Sequence, residues 1–252
     1  MEGFQNVSRY IHIVFGFGGL AAFWIPILVP KGSPLHRAAG RVFSFCAGVV
    51  LLSAGLSITL VATRLLAAGE GPTDSPGTWS SLVFLAYLAW VTWLFVHHGR
   101  LVLRSKGSPS AAGSPLNRGL ARSAIAASGF IVAWALVLRP PNMVVLLALS
   151  PIGFLSGRGM LEYYRGTDPS RRAWLYEHLG AMIGAGIAFH TAFAVFGSRQ
   201  FLAWEPEGLI GVLPWILPTL VGLPASALWA RYYRKRFNES SASTVSQGSG
   251  KS

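Results

Sequence analysis

Seven apolar stretches alternate with six polar connections along the chain, over about 11–29, 42–63, 79–99, 123–138, 143–157, 176–197 and 209–230. About 20 apolar residues cross a bilayer as a helix, and in lipid a span must satisfy its own backbone hydrogen bonds. The pattern therefore predicts an all-α polytopic transmembrane bundle of seven spans over 11–236. A short N-terminal tail, 1–10, precedes it, and a Ser/Gly-rich tail, 237–252, is expected to be disordered. The fourth and fifth stretches are short, with Arg139-Pro140-Pro141 forcing a tight turn between them. The fifth is expected either to cross as half of a tilted hairpin or to re-enter around Pro151. The sixth carries Gly180-x-x-x-Gly184, a spacing that lets another helix approach closely. The seventh contains Pro214, Pro218 and Pro224, which remove backbone donors and bend a membrane helix.

The polar connections are not alike. Lys31, Arg37 and Arg41 lie in the first; Arg100, Arg104, Lys106, Arg118 and Arg122 in the third; Arg158, Arg165, Arg171 and Arg172 in the fifth; and Arg231, Arg234, Lys235, Arg236 and Lys251 after the last span. That places 17 of the 21 basic residues on one side and leaves Arg9, Arg64, Arg139 and Arg199 on the other. Basic loops stay cytoplasmic during insertion, so the N-terminus is expected outside and the C-terminus inside. The net charge of +12 would otherwise point toward nucleic acid, but this sorting accounts for it and no nucleic-acid partner is expected. The lipid bilayer is the expected partner, and the segment Arg231–Arg236 would attract anionic headgroups.

Composition agrees: 52% of residues are hydrophobic and 12% charged, against about 25% charged in soluble domains. Trp79, Trp174, Trp204 and Trp229 fall near span ends, as an interfacial belt requires. The single cysteine, Cys46, can form neither an internal disulfide nor a paired-cysteine metal site. No small-residue cleavage site follows the first stretch, which reads as a retained helix rather than a signal peptide.

One segment is repeated. Residues 32–41, Gly-Ser-Pro-Leu-His-Arg-Ala-Ala-Gly-Arg, match 113–122, Gly-Ser-Pro-Leu-Asn-Arg-Gly-Leu-Ala-Arg, at six of ten positions. A capping serine followed by proline suits a helix start, so a twice-used start and a duplicated two-helix unit are both consistent. His36 is replaced by Asn117 in the second copy. Asp168-Pro169 reads as another such start, before the sixth span.

Ionisable groups in or beside a membrane are candidates for function, and here they are mostly histidines. The topology sorts six of them into two layers: His12 and His190 toward the outer face, and His36, His97, His98 and His178 near the cytoplasmic face. A b-type haem in a helical bundle takes two axial imidazoles from facing helices, and two haems would carry an electron across the bilayer. In this reading His12 and His190 ligate an outer haem, and His178 with His98, His97 or His36 an inner one. Arg37 and Arg41 would pair with the propionates, and a redox partner or quinone would complete the transfer. His178 and His190 are 12 residues apart, a rise of about 18 Å but a rotation of about 120°, so the two haems would not share one helix face.

Two other classes remain open. A membrane metallohydrolase would use the cytoplasmic-side histidines with Glu162, Asp168 or Glu177, because catalytic zinc takes three such ligands plus water. No HxxxH pair and no carboxylate in a span core supports it. A transporter or a small-molecule or lipid-binding protein would use the bent seventh span, although the intramembrane carboxylates common in coupled transport are missing. A retinal protein is excluded, since Lys31, Lys106, Lys235 and Lys251 all lie outside the apolar stretches.

The run Lys31-Gly-Ser-Pro-Leu-His36-Arg37-Ala-Ala-Gly-Arg41, after a first span opening with His12, Gly16, Gly18 and Gly19, resembles a family of bacterial predicted multi-pass membrane proteins of unknown function. Their inner-loop motif reads Lys-Gly-Ser/Thr-x-x-His-Arg-x-x-Gly-Arg. His178 in His178-Leu-Gly-Ala-Met182 matches that family's late-helix histidine. The resemblance covers roughly 10–200, implies a bacterial inner-membrane location, and singles out His12, His36 and His178. In outline the pattern is also similar to two-haem transmembrane cytochromes b.

Overall fold

The computed structural model describes residues 2–106, 108–197 and 210–239, with side chains from residue 6 onward. In chain order the helices are α1 (Glu2–Leu28), α2 (Pro34–Ala67), α3 (Pro76–Arg104), the single turn α4 (Pro109–Ala112), α5 (Pro115–Leu138), α6 (Met143–Leu149), α7 (Pro151–Arg165), α8 (Ala173–Ala192) and α9 (Leu213–Arg236). A π-helical turn over Phe193–Gly197 extends α8, and a 3-10 turn, Ile210–Val212, precedes α9. Seven segments are long and apolar enough to cross a membrane, with mean hydropathies of 1.6 to 2.2. The chain is a multi-pass membrane protein of all-α class.

Serine-proline pairs open five of these helices, at Ser33, Ser75, Ser108, Ser114 and Ser150. Proline suits the first turn, where its missing N–H is not needed. The repeated segment is a twice-used helix start: Ser33 Oγ accepts from the His36 N–H and Ser114 Oγ from the Asn117 N–H. Asp168-Pro169 is different. The Asp168 carboxylate accepts from the Ser170 N–H and hydroxyl, and α8 begins only at Ala173.

The fifth stretch is long enough to cross, as a 23-residue segment over Met143–Arg165 interrupted at Ser150. Pro151 cannot donate to the Leu147 carbonyl, and the Ser150 hydroxyl takes its place at 3.0 Å. Tyr87 of α3 repairs the rest. Its hydroxyl accepts from the Gly153 N–H (2.9 Å) and lies 2.9 Å from the Ser150 carbonyl. The break sits inside the protein, where such repair is available.

Helices α3 and α8 and the broken α6–α7 segment form the centre. Within their most apolar windows 39%, 44% and 39% of residues are buried, against 11% for α1 and α2 and 6% for α9. Close approaches fall at glycines. A side chain at Gly153 or Gly157 of α7 would meet the Ala124 or Ala121 carbonyl of α5, and one at Gly184 would meet the Phe95 ring 2.9 Å away. Gly180 faces open space, so the tight contact of the sixth span lies at Gly184 and Gly186 rather than at Gly180.

Both expected tails begin as ordered structure. Residues 2–10 continue α1. At the other end Phe237 lies under the Arg172 guanidinium, and the Glu239 carboxylate accepts from Tyr176 (2.6 Å) and Arg172 (3.2 Å). These contacts hold 237–239 onto α8; the remainder of the expected tail, 240–252, lies outside the described residues, as do Arg199 and Trp204.

Candidate functional site

At one end of the bundle, the end of α1, the start of α2, the end of α3, the start of α8 and the last turns of α9 enclose a cavity of about 610 Å³. Its walls are largely apolar, among them Phe23, Phe43, Met182 and Trp229. His36, His178, Arg37, Arg41, Arg100 and Arg104 also line it.

Local chain chemistry places His36. Pro26 and Pro30 are four residues apart, so the Pro26 carbonyl has no helical N–H to accept. Two side chains satisfy it: Lys31 Nζ donates at 2.6 Å, and His36 Nδ1–H donates at 3.2 Å. Gly32 supplies the reversal, at φ +79°, that brings His36 back over the end of α1. Lys31 also donates to the Ile27 carbonyl (2.9 Å) and lies 5.0 Å from the centre of the Trp229 ring. Burial pushes its ammonium pKa below the usual value.

His178 is placed by close packing of α8 on α3. Its Nδ1–H donates to the Gly99 carbonyl at 2.8 Å. A side chain at Gly99 would stand 3.1 Å from Met182 and 3.3 Å from Ala181, so glycine is what lets the ring reach the α3 backbone.

A carbonyl oxygen only accepts, so both Nδ1 atoms carry the proton. In the neutral ring Nε2 is then the unprotonated nitrogen. An Nδ1–H held by a backbone carbonyl is the support found behind metal-bound histidines. The histidine that this chain supplies from α2 and the one from α8 therefore meet the same requirement at one cavity.

The four arginines of the cavity have no carboxylate partner among the described residues. Among the described residues the ion pairs are His98–Glu177, Arg158–Glu162, Arg172–Glu239 and Arg234–Asp168. Four guanidinium groups with no ion-paired carboxylate among the described residues make the lining of an apolar cavity positive.

The other histidines sit elsewhere. His98 is 2% exposed and is not among the cavity's lining residues, with Nδ1 3.0 Å from the Tyr164 hydroxyl and Nε2 3.1 Å from Glu177. Both ring nitrogens are engaged, so it cross-links α3, α7 and α8. His190 donates from Nδ1 to the Gly186 carbonyl (2.8 Å) and accepts the Trp24 indole N–H at Nε2 (3.1 Å). His12 lies beside Ser53, at 2.8 Å. Because the Ser53 hydroxyl donates to Val50, the His12 Nδ1–H must be the donor in that pair. His12 and Trp24 are 12 residues apart on α1, about 18 Å of rise, so the structure does not bring His12 and His190 together as a pair. His97 stacks on Trp93 and is 3.2 Å from Asn117 Oδ1.

Among the described residues no three His, Cys, Asp or Glu side chains are grouped to hold a metal ion. No carboxylate among the described residues lines the cavity. Neither observation supplies the three-ligand centre of a metallohydrolase. Arg100 and Arg104 line the site as well, although the sequence pointed to them only as basic residues of the third connection and not as site residues.

No protein-family model, curated protein or solved structure matches this chain.

Proposed function

We propose that the cavity binds one b-type haem, which His36 and His178 would hold through their imidazoles, and that the protein transfers electrons at the membrane. The observation that carries this reading is the pair of imidazoles at one apolar cavity, each with Nδ1 bonded to a backbone carbonyl, which leaves Nε2 as the free nitrogen of the neutral ring. A volume of about 610 Å³ falls within the usual range for cofactor sites, about 300–1,000 Å³. Arg37 and Arg41 supply guanidinium groups for two propionates, and the aromatic and aliphatic walls exclude water. Bound there, the haem supplies a one-electron centre; the chain binds it, orients it and sets its surroundings. The partners in this reading are a redox protein or reductant at the basic end and a quinone in the lipid. The basic end faces the cytoplasm of a bacterial inner membrane, in keeping with the positive-inside rule.

The test is the absorption spectrum of the purified protein, oxidised and then reduced with dithionite. A Soret band with resolved reduced α and β bands is expected, and His36→Leu and His178→Leu should each lower haem content at least ten-fold. His190→Leu should leave it full. A featureless spectrum from cells supplied with haem, or full haem content in both site variants, overturns the assignment. Loss of half the haem in His190→Leu would instead favour two haems.

A further inference from the structure

A second concavity runs lengthwise between α2 and α3, with a volume of about 260 Å³. Along α3 it is lined by Arg104, Leu101, Arg100, His97, Val96 and Trp93; along α2, by Ser44, Gly48 and Leu51. These are neighbouring positions on one face of each helix, spaced by three, four and seven residues. The lining is graded by depth. Arg104 closes the α3 span, and Trp93 lies 11 residues further in, about 16 Å along the helix. The cations therefore stand at the interface and the apolar wall stands in the hydrocarbon.

Three observations bear on what fills it. Arg100 and Arg104 are exposed and form none of the ion pairs found among the described residues. Trp93 is 37% exposed and lies in a stack of rings, Trp90 on Trp93 at 5.1 Å and Trp93 on His97 at 5.0 Å. Gly48 opens the floor, since a Cβ built there meets nothing within 4 Å.

We infer that this groove is a binding site for one anionic phospholipid. Its phosphate is held by Arg100 and Arg104, and the upper part of an acyl chain lies over Gly48 and Leu51 against Val96 and Trp93. The charge gradient of the groove matches that of the molecule: an anion at the interface joined to an apolar chain pointing inward. Basic pockets between spans recognise anionic headgroups in this way. A soluble phosphate would use only the two arginines and leave the apolar wall idle. The groove meets the larger cavity at Ser44, Arg100 and Arg104, yet the inference does not depend on haem.

The test uses the full chain, reconstituted in phosphatidylcholine vesicles titrated with phosphatidylglycerol brominated on the acyl chain near the headgroup. Bromine quenches tryptophan at contact. Quenching by brominated phosphatidylglycerol should saturate at low mole fraction and exceed that by brominated phosphatidylcholine several-fold. The selective component should vanish in Trp93→Phe. Its half-saturation should rise about ten-fold in the Arg100→Gln, Arg104→Gln double variant, while Arg158→Gln, a charge change outside the groove, leaves it unmoved. Gly48→Leu fills the floor without touching a charge and should also remove it. Equal quenching by the two lipids, or a preference that survives both Arg100→Gln, Arg104→Gln and Gly48→Leu, overturns the site. Abolition of the preference by millimolar inorganic phosphate would assign the arginines to a soluble anion and overturn the lipid. Each readout holds with or without a haem spectrum, so failure here is separable from failure of the proposed cofactor.

Discussion

Single side chains in this bundle do work that the helical backbone leaves undone. Tyr87 is the clearest instance, because one buried hydroxyl serves both the Gly153 N–H and the Leu149 and Ser150 carbonyls at the Ser150-Pro151 break. Tyr87→Phe keeps the ring and removes that oxygen, leaving a buried donor and acceptor unpaired at a cost of about 1–3 kcal/mol. Thermal unfolding in detergent should show the loss, whereas Gly159→Ala, at a position facing open space, should be close to neutral. A Tyr87→Phe midpoint equal to the parent's would mean that other groups close the break. His36 and His178 follow the same logic with the roles reversed. There a backbone carbonyl completes one ring nitrogen, and the other is left over. The histidines as a class were legible in the sequence, but their sorting was not. His98 and His178 are each flanked by the residue that partners the other, Gly99 and Glu177, so which ring is satisfied and which is open is decided by how α3 packs on α8, and the apolar pattern does not state that packing.

At the scale of elements, the seven spans were legible because apolar runs are long and their punctuation is Ser-Pro. Their ends were not. Residues 158–165 read as loop because they carry Arg158 and Arg165, yet they continue α7, since arginines at a helix end reach the interface along their own apolar stems. The helix–helix contact at Gly153 and Gly157 went unnoticed, although its spacing is the same as that of Gly180 and Gly184. Helix α9 shows how an element with little burial is held. Its final turn is clasped through Arg234, which pairs with Asp168 at 2.5 Å and bonds Ser170, and through Glu239 on Arg172 and Tyr176. Burial alone would raise the Asp168 pKa, but hydrogen bonds from Arg234 and Ser170 outweigh it and hold the carboxyl below its ordinary value of 3.8. A depressed acid contributes stability that is present above its unfolded pKa and lost as pH falls through the folded one. Asp168→Asn should therefore destabilise the protein by about 1 kcal/mol near pH 6. The gap from the parent should close as the pH is taken below about 4. A gap that persists at pH 3 would mean that the carboxylate's charge is not what holds the clasp.

At the scale of the molecule, basic side chains gather at one end, and this is the basis for expecting that end in the cytoplasm. A reporter fused after Arg236 should report the cytoplasm, and one inserted within 200–208 should report the exterior; the reverse pattern would invert the orientation. The same asymmetry has a consequence for assembly. The two open imidazoles do not belong to two helices alone. The His36 ring is oriented by the end of α1 and the His178 ring by the end of α3, where α8 begins, so four spans must be in place before both nitrogens are presented together. His36 enters the membrane early in synthesis, and His178 follows 142 residues later. Any guest that engages both rings can be captured only after the sixth span has docked. Its retention then draws the first and last parts of the chain to one another, so loading would act as a seal on a finished bundle rather than as a scaffold for building one.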